Sequence, residues 1–268
     1  MSEPLPVIAA EPYAAPPMSA EPPSSLTRHA LIPTSIAVCF TLVYGVEAAP
    51  WWVIVIGAPA LLLYLGAPTI GRRSLARFDR DAVRLLSGGQ RRRLPRRYAR
   101  ALGMRLFAPP ALVAERRGLV HAETGAPGPA RAAYREALDG YPEDAAPIGV
   151  MLGLAHASFA LGDSADAIAR YRAVWRRSKT FPRVAKNLAH ALARKGEDLA
   201  EAETLAERAL ADAPEPPPAE LSLVRALVHA KRGQRGPARK LLKRARAHED
   251  AARLEELVEE VETALEEL

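Results

Sequence analysis

From residue 118 onward one pattern of small and large residues returns four times. Its turn glycines are Gly125, Gly162, Gly196 and Gly233, spaced 37, 34 and 37 residues apart. Each is followed five or six residues on by an alanine, then by a large residue or alanine, then by a small residue. A small residue also precedes each glycine, at Gly118, Ala155, Ala189 and Ala226. A fixed period of this length marks a stack of supersecondary units. One such unit cannot bury its apolar face alone, but stacked units bury a continuous core.

The first unit, GLVHAETGAPGPARAAYREALDGYP, matches most fully: Gly118, Gly125, Ala130, Tyr134, Ala137 and Pro142. The second carries Ala155, Gly162, Ala167, Tyr171 and Val174. The third carries Ala189, Gly196, Ala202, Ala206, Ala209 and Pro214, with one extra residue in its turn. The fourth carries Ala226, Gly233, Ala238, Leu242 and Ala245. These offsets resemble the tetratricopeptide repeat (TPR) family, whose unit is a helix-turn-helix of about 34 residues. The resemblance covers about residues 111–250. It departs from the family at Arg117, where an apolar residue is usual, and in the missing closing proline of the second and fourth units. It implies an all-α solenoid of about four repeats over 110–250. Small residues then let the paired helices approach, glycines make the turns, and Tyr134, Tyr171 and Leu242 fill the space between units.

The segment 251–268 is predicted to be an acidic capping helix. Leu254, Leu257, Val258, Val261, Leu265 and Leu268 form one apolar stripe, and residues 249–268 carry nine acids against Arg253. A coiled-coil partner helix is the rival reading. A competing idea is that the acidic helix neutralises residues 231–247, which hold eight Lys or Arg and no acid; that would occupy the fourth repeat's second helix and leave the third repeat's groove open.

Two uncharged stretches precede the repeats, residues 30–46 and 51–70. At 1.5 Å per residue they reach roughly 26 and 30 Å, about the apolar thickness of a bilayer. Residues 29–71 are therefore expected to form a two-helix transmembrane hairpin, with Trp51 and Trp52 in the interfacial belt. The alternative, a buried hairpin of a soluble protein, lacks apolar surface elsewhere to cover it. Residues 1–28 are Pro- and Ala-rich and are expected to be a disordered tail. Arg72, Arg73, Arg77, Arg80 and Arg84 follow the second span directly, which places both termini in the cytoplasm of a bacterial inner membrane. The segment 72–109 is read as basic juxtamembrane helices. Residues 72–117 hold fourteen Arg against three acids. Anionic lipid headgroups near Arg72–Arg97 are favoured as their partner over nucleic acid, which is not expected. The single Cys39 can form neither an internal disulfide nor a cysteine zinc site.

Leu86-Ser87-Gly88-Gly89-Gln90 spells the signature of ATP-binding-cassette ATPases. Such a domain also needs a Gly-Lys-Ser/Thr phosphate loop upstream and an apolar strand ending in Asp downstream. No Gly-Lys pair occurs anywhere in the chain. Leu75, Phe78, Ala82 and Leu85/Leu86 instead fall at helical spacing. The glycines then end that helix, and Pro95 opens the next, which is expected to run to Phe107.

No catalytic set, cofactor site or metal site is expected. His156 and His190 occupy equivalent places in neighbouring repeats, as do His121 and His229, and packing is favoured over a metal stripe. By resemblance, a concave groove lined by the first helices binds a protein or peptide. On the third and fourth repeats it would present Arg183, Lys186, Asn187, His190, Arg194 and Lys231. The expected partner is an acidic, extended segment. The chain thus reads as a non-enzymatic membrane adaptor. The alternative is an accessory subunit of a membrane enzyme or transporter, with the hairpin as the specific contact.

Overall fold

A computed structural model describes residues 51–141, 145–177, 182–213, 217–248 and 254–268, with positions 33, 34, 36, 37 and 40 besides. For 51–61, 64 and 182 only the backbone course is described. The expected tail, most of the first expected span, and Pro142 and Pro214 lie outside these residues. Every regular element among them is a helix. None is long and apolar enough to cross a membrane, counted over the described residues alone. The chain parts into two compact units between Val150 and Met151.

The first unit holds α1 (Trp51–Ser87), a 3-10 turn (Arg91–Arg93), α2 (Leu94–Arg100), α3 (Leu102–Phe107), α4 (Pro110–Glu123) and α5 (Pro127–Asp139). Leu75, Phe78 and Ala82 from α1 share one core with Leu94, Ala101, Met104, Leu112 and Val120. The Phe78 and Tyr98 rings meet edge to face at 5.9 Å. The helix expected to run unbroken to Phe107 breaks at Ala101, whose ψ of 53° leaves the helical region. Its second half, α3, lies so close to α1 that a Cβ on Gly103 would sit 3.2 Å from Ile70 and Ser74.

The LSGGQ letters end α1. Gly89 has φ +67°. Its N–H donates to the Leu86 carbonyl at 3.1 Å, and the Gln90 N–H donates to the Leu85 carbonyl at 2.7 Å. This is the Schellman pairing, in which a left-handed residue satisfies the last carbonyls of a helix. Gly125, Gly162, Gly196 and Gly233 have φ between +73° and +79° and make the same two bonds. Gly89 precedes Gly125 by 36 residues. Counted from it, the offsets of the repeat fall on Ala82, Leu94, Tyr98 and Ala101. The basic segment 72–107 is therefore packed as a degenerate repeat ahead of the four expected ones.

In the next repeat Gly118 faces Tyr134, and a Cβ on the glycine would lie 2.8 Å from the ring. Arg117, the departure from the family pattern, is part exposed and pairs with Glu136 across the two helices.

The second unit comprises α6 (Ile148–Ala160) from Met151 on, α7 (Ser164–Arg177), α8 (Pro182–Lys195), α9 (Leu199–Ala211), α10 (Ala219–Lys231), α11 (Arg235–Arg246) and α12 (Glu255–Glu266). Ala155, Ala189 and Ala226 are fully buried, as the helix-pairing role of small residues requires. The extra residue in the third turn is absorbed by Asp198, whose φ is +44°. Arg172 reaches over to hold the Asp198 and Glu201 carboxylates. α10 packs against α8, α9, α11 and α12. It is covered over most of its surface, which explains why Leu221, Leu223, Val224, Leu227 and Val228 are all buried.

α12 covers α10 and α11 with Leu257, Val261, Ala264 and Leu265. The buried stripe is narrower than expected: Leu254 and Val258 are half-buried, and Leu268 is exposed.

Candidate functional site

Arg183, Lys186, Asn187, His190 and Arg194 all project from α8, at spacings that keep most of them to one side of the helix. The structure does not leave them as one open row. Arg183 is exposed at the helix start. Lys186 is paired with Glu220 in the first turn of α10. Asn187 donates its amide to His156 Nε2 at 2.8 Å. Burial, and then the Lys186 charge, push His156 down to about 4, so the neutral ring accepts that bond. Asn187, half-buried, thus has its amide nitrogen engaged within the fold.

His190 and Arg194 converge on a third group that does not belong to the repeats. Glu260 of α12 accepts from Arg194 Nε at 2.8 Å, from Arg194 Nη2 at 3.1 Å and lies 2.9 Å from His190 Nε2. Beneath them is Phe159 of α6. The Arg194 guanidinium stands 4.2 Å over its ring, and the His190 ring meets it edge-on at 4.8 Å. Burial works against the Glu260 charge, but the bonds from His190 and Arg194 outweigh it and hold the carboxyl at about 2. A planar fork on a carboxylate is a strong, directional pairing, and the aromatic face adds a cation–π contact. Lys231 is bound to Glu267 at 2.7 Å.

The idea that the acidic helix leaves the third repeat's groove open is thus overturned. Of the basic block 231–247, the ion pairs made by α12 and the Glu267 that follows it involve Arg246 and Lys231. Its best-bound carboxylate goes to α8 instead. α12 can do both because its apolar stripe lies on α10 and α11, while Glu260, one residue before buried Val261, points past α10.

Phe159 escaped the sequence reading. The signal was present: the groove positions that fall on His190 and Ala193 in the third repeat fall on His156 and Phe159 in the second. The histidines are used separately, His156 meeting the Tyr171 ring at a tilt with centroids 5.5 Å apart and His229 bonding to Gln234. Among the described residues no group of three His, Cys, Asp or Glu could hold a metal ion.

The arginine-rich segment divides into two sets. Arg116, 2 % exposed, donates to both Asp79 oxygens at 3.1 and 3.0 Å and to Glu115 at 2.6 Å. Burial pushes Glu115 up to about 7, with Arg116 opposing. Arg97 binds Asp81, and Arg91 lies 3.3 Å from the buried Glu123. Arg72, Arg73, Arg77, Arg80, Arg84, Arg92 and Arg96 are exposed. The first set ties the helices of the first unit together through ion pairs, with Arg116 alone buried, and the second lies on the surface.

No family model matches the chain, and no curated protein matches it at a significant level. Solved structures do share its architecture. PilW, a widely conserved type IV pilus biogenesis factor, superimposes with a TM-score of 0.52 at 15 % identity, over 90 % of this chain and 99 % of that one. Pseudomonas aeruginosa pilF gives 0.50 at 15 % identity, over 86 % and 98 %. YrrB, described as a TPR protein with an unusual peptide-binding site, gives 0.49 at 18 % identity, over 67 % and 87 %. With the recurring glycine turns and helix pairs, the first two of these likenesses establish an all-α fold built of helix-turn-helix repeats.

Proposed function

We propose that this protein is a non-enzymatic, membrane-anchored adaptor whose repeat groove gathers a protein or peptide partner in the bacterial cytoplasm. The observation that carries the binding role is the Phe159–His190–Arg194 cluster, a carboxylate site built from the first helices of two adjacent repeats. Membrane attachment is supported by the uncharged run 51–70 at the head of α1 and by the exposure of Leu62 and Leu65 on it, 69 % and 64 %. Exposed apolar side chains on a charge-free helix call for an apolar surrounding. The exposed arginines that follow suit the cytoplasmic leaflet and its anionic headgroups.

Two measurements test the proposal. A reporter fused after Leu268 should be active only if it is of a kind that works in the cytoplasm. An active periplasmic reporter there refutes the topology. Partners captured by wild type should be lost by Arg183→Glu/Lys186→Glu/Arg194→Glu. If that folded variant keeps every partner, binding lies elsewhere.

A further inference from the structure

α12 does more than a cap requires. A cap need only cover α10 and α11, and Leu257, Val261, Ala264 and Leu265 accomplish that. Glu260 goes further and enters the pocket of His190 and Arg194, 70 and 66 residues away in sequence. Three nitrogens surround its two oxygens within 3.1 Å, over the face of Phe159. The other ties of α12 are weak by nature. Glu262 to Arg246 and Glu267 to Lys231 are pairs in which one or both partners are largely exposed, and such pairs contribute little net stability. An incoming helix with the same pattern would recover every contact that α12 gives up, so exchange is opposed chiefly by the tether's effective concentration and the cost of association.

We propose that Glu260 is an internal stand-in for a partner's carboxylate: the partner presents an acidic amphipathic helix that displaces α12 and seats its own Asp or Glu on His190 and Arg194. This rests on the groove reading above and changes its ligand from an extended acidic tail to a helix. The recognised pattern is that of α12 itself, a carboxylate one residue before a central apolar residue, with apolar residues four before and four after that residue. In the absence of partner the tethered helix keeps the groove shut, because an attached segment competes at a high effective concentration.

The test uses the full chain in detergent and a fluorescent peptide of the sequence 254–268 as probe. Wild type should bind it weakly. Glu260→Lys breaks the chain's own latch and leaves the pocket intact, so it should bind the peptide at least about tenfold more tightly. Adding Arg194→Glu to that variant should remove the gain, and Arg194→Lys, which keeps the charge but not the fork, should remove part of it. A peptide with Gln at the Glu260 position should bind Glu260→Lys more weakly than the unmodified peptide does, and equal affinity of the two peptides for that variant overturns the proposal. Equal binding of the unmodified peptide to wild type and Glu260→Lys overturns the proposal, as does a gain that survives Arg194→Glu with the helical content intact. Hydrogen exchange gives an independent reading: α12 amides should exchange well before those of α10, and equal protection would make α12 a permanent element. If these arms fail while the triple groove variant still loses its partner, the helix exchange is wrong and the groove reading stands. If the triple variant keeps its partner, the groove reading falls first.

Discussion

Two glycines in the first full repeat are required for opposite reasons, and one substitution at each separates them. Gly125 has φ +73°, and a Cβ there would meet nothing within 4 Å. Gly125→Ala therefore suffers only the left-handed backbone penalty, about 1 kcal/mol. Gly118 lies within α4 with no positive φ, so helix propensity alone makes Gly118→Ala stabilising by about 1 kcal/mol. Packing says the reverse. The new Cβ would stand 2.8–2.9 Å from three atoms of the Tyr134 ring, against an ordinary contact of about 3.5–4.0 Å. Tyr134 is 5 % exposed and has nowhere to swing. The helices must part by several tenths of an ångström, and overpacking of this kind costs about 1–3 kcal/mol. The expected net effect is a loss of about 1 kcal/mol, or roughly 2–4 °C in Tm, read by circular dichroism on the full chain. Tyr134→Leu should relieve the clash, so the double variant should be less destabilised than the sum of the singles. A neutral or stabilising Gly118→Ala would refute the close α4–α5 contact.

Three further outcomes follow from the geometry. The protein should show no saturable ATP binding, and Gly89→Ala should cost only about 1 kcal/mol of stability; nucleotide binding lost on that change would overturn the reading of LSGGQ as a helix end. Asp79→Ala should cost about 3 kcal/mol in a denaturant melt, because it strips the buried Arg116 of its bidentate partner, and a loss within error would show that Glu115 alone suffices. Glu260 is held at about 2, below its ordinary 4.5, so its contribution is complete above about pH 4.5 and fades as pH falls toward 2. The shift corresponds to about 3 kcal/mol; the acid loss should shrink in Glu260→Gln, and an unchanged pH profile in that variant would deny the carboxylate its role.

What the sequence made legible was local. The turn glycines, their flanking alanines and the helix ends are set by backbone conformation and by neighbours within one unit, so they appear as fixed offsets. The degenerate repeat at 72–107 was hidden because Leu94 replaces the alanine expected after the turn, the helix breaks at Ala101, and arginines dominate the composition. The arginines themselves were ambiguous: Arg91, Arg97 and Arg116 serve acids that lie 16 to 37 residues away, and nothing local distinguishes them from their exposed neighbours. The residues proposed for the groove, five on α8 and Lys231 on α10, could be picked out by their repeat offsets, yet their partners were not foreseeable. Lys186 is taken by Glu220, Asn187 by His156, and His190 and Arg194 by Glu260. Each pairing is fixed by how one helix lies across another, which periodicity does not encode.

The junction between the uncharged run and the repeats bears on which function is supported. A tether would place a flexible break between anchor and binding domain. Here α1 continues from Trp51 to Ser87 as one helix of 37 residues, about 55 Å long. Gly71 marks the change from uncharged to basic sequence and has the composition of a hinge. Its surroundings deny that role: a Cβ on Gly71 would lie 2.5 Å from the Phe107 carbonyl oxygen, so the glycine serves close packing of α1 against the end of α3. The first half of α1 and the degenerate repeat are therefore one rigid piece. If residues 51–70 cross the bilayer as proposed, the orientation of that repeat is set by the anchor helix and not by a linker. An unrelated hairpin joined at residue 71 would preserve membrane attachment but not the rotation of α1 about its own axis, and hence not the direction in which the first repeat faces.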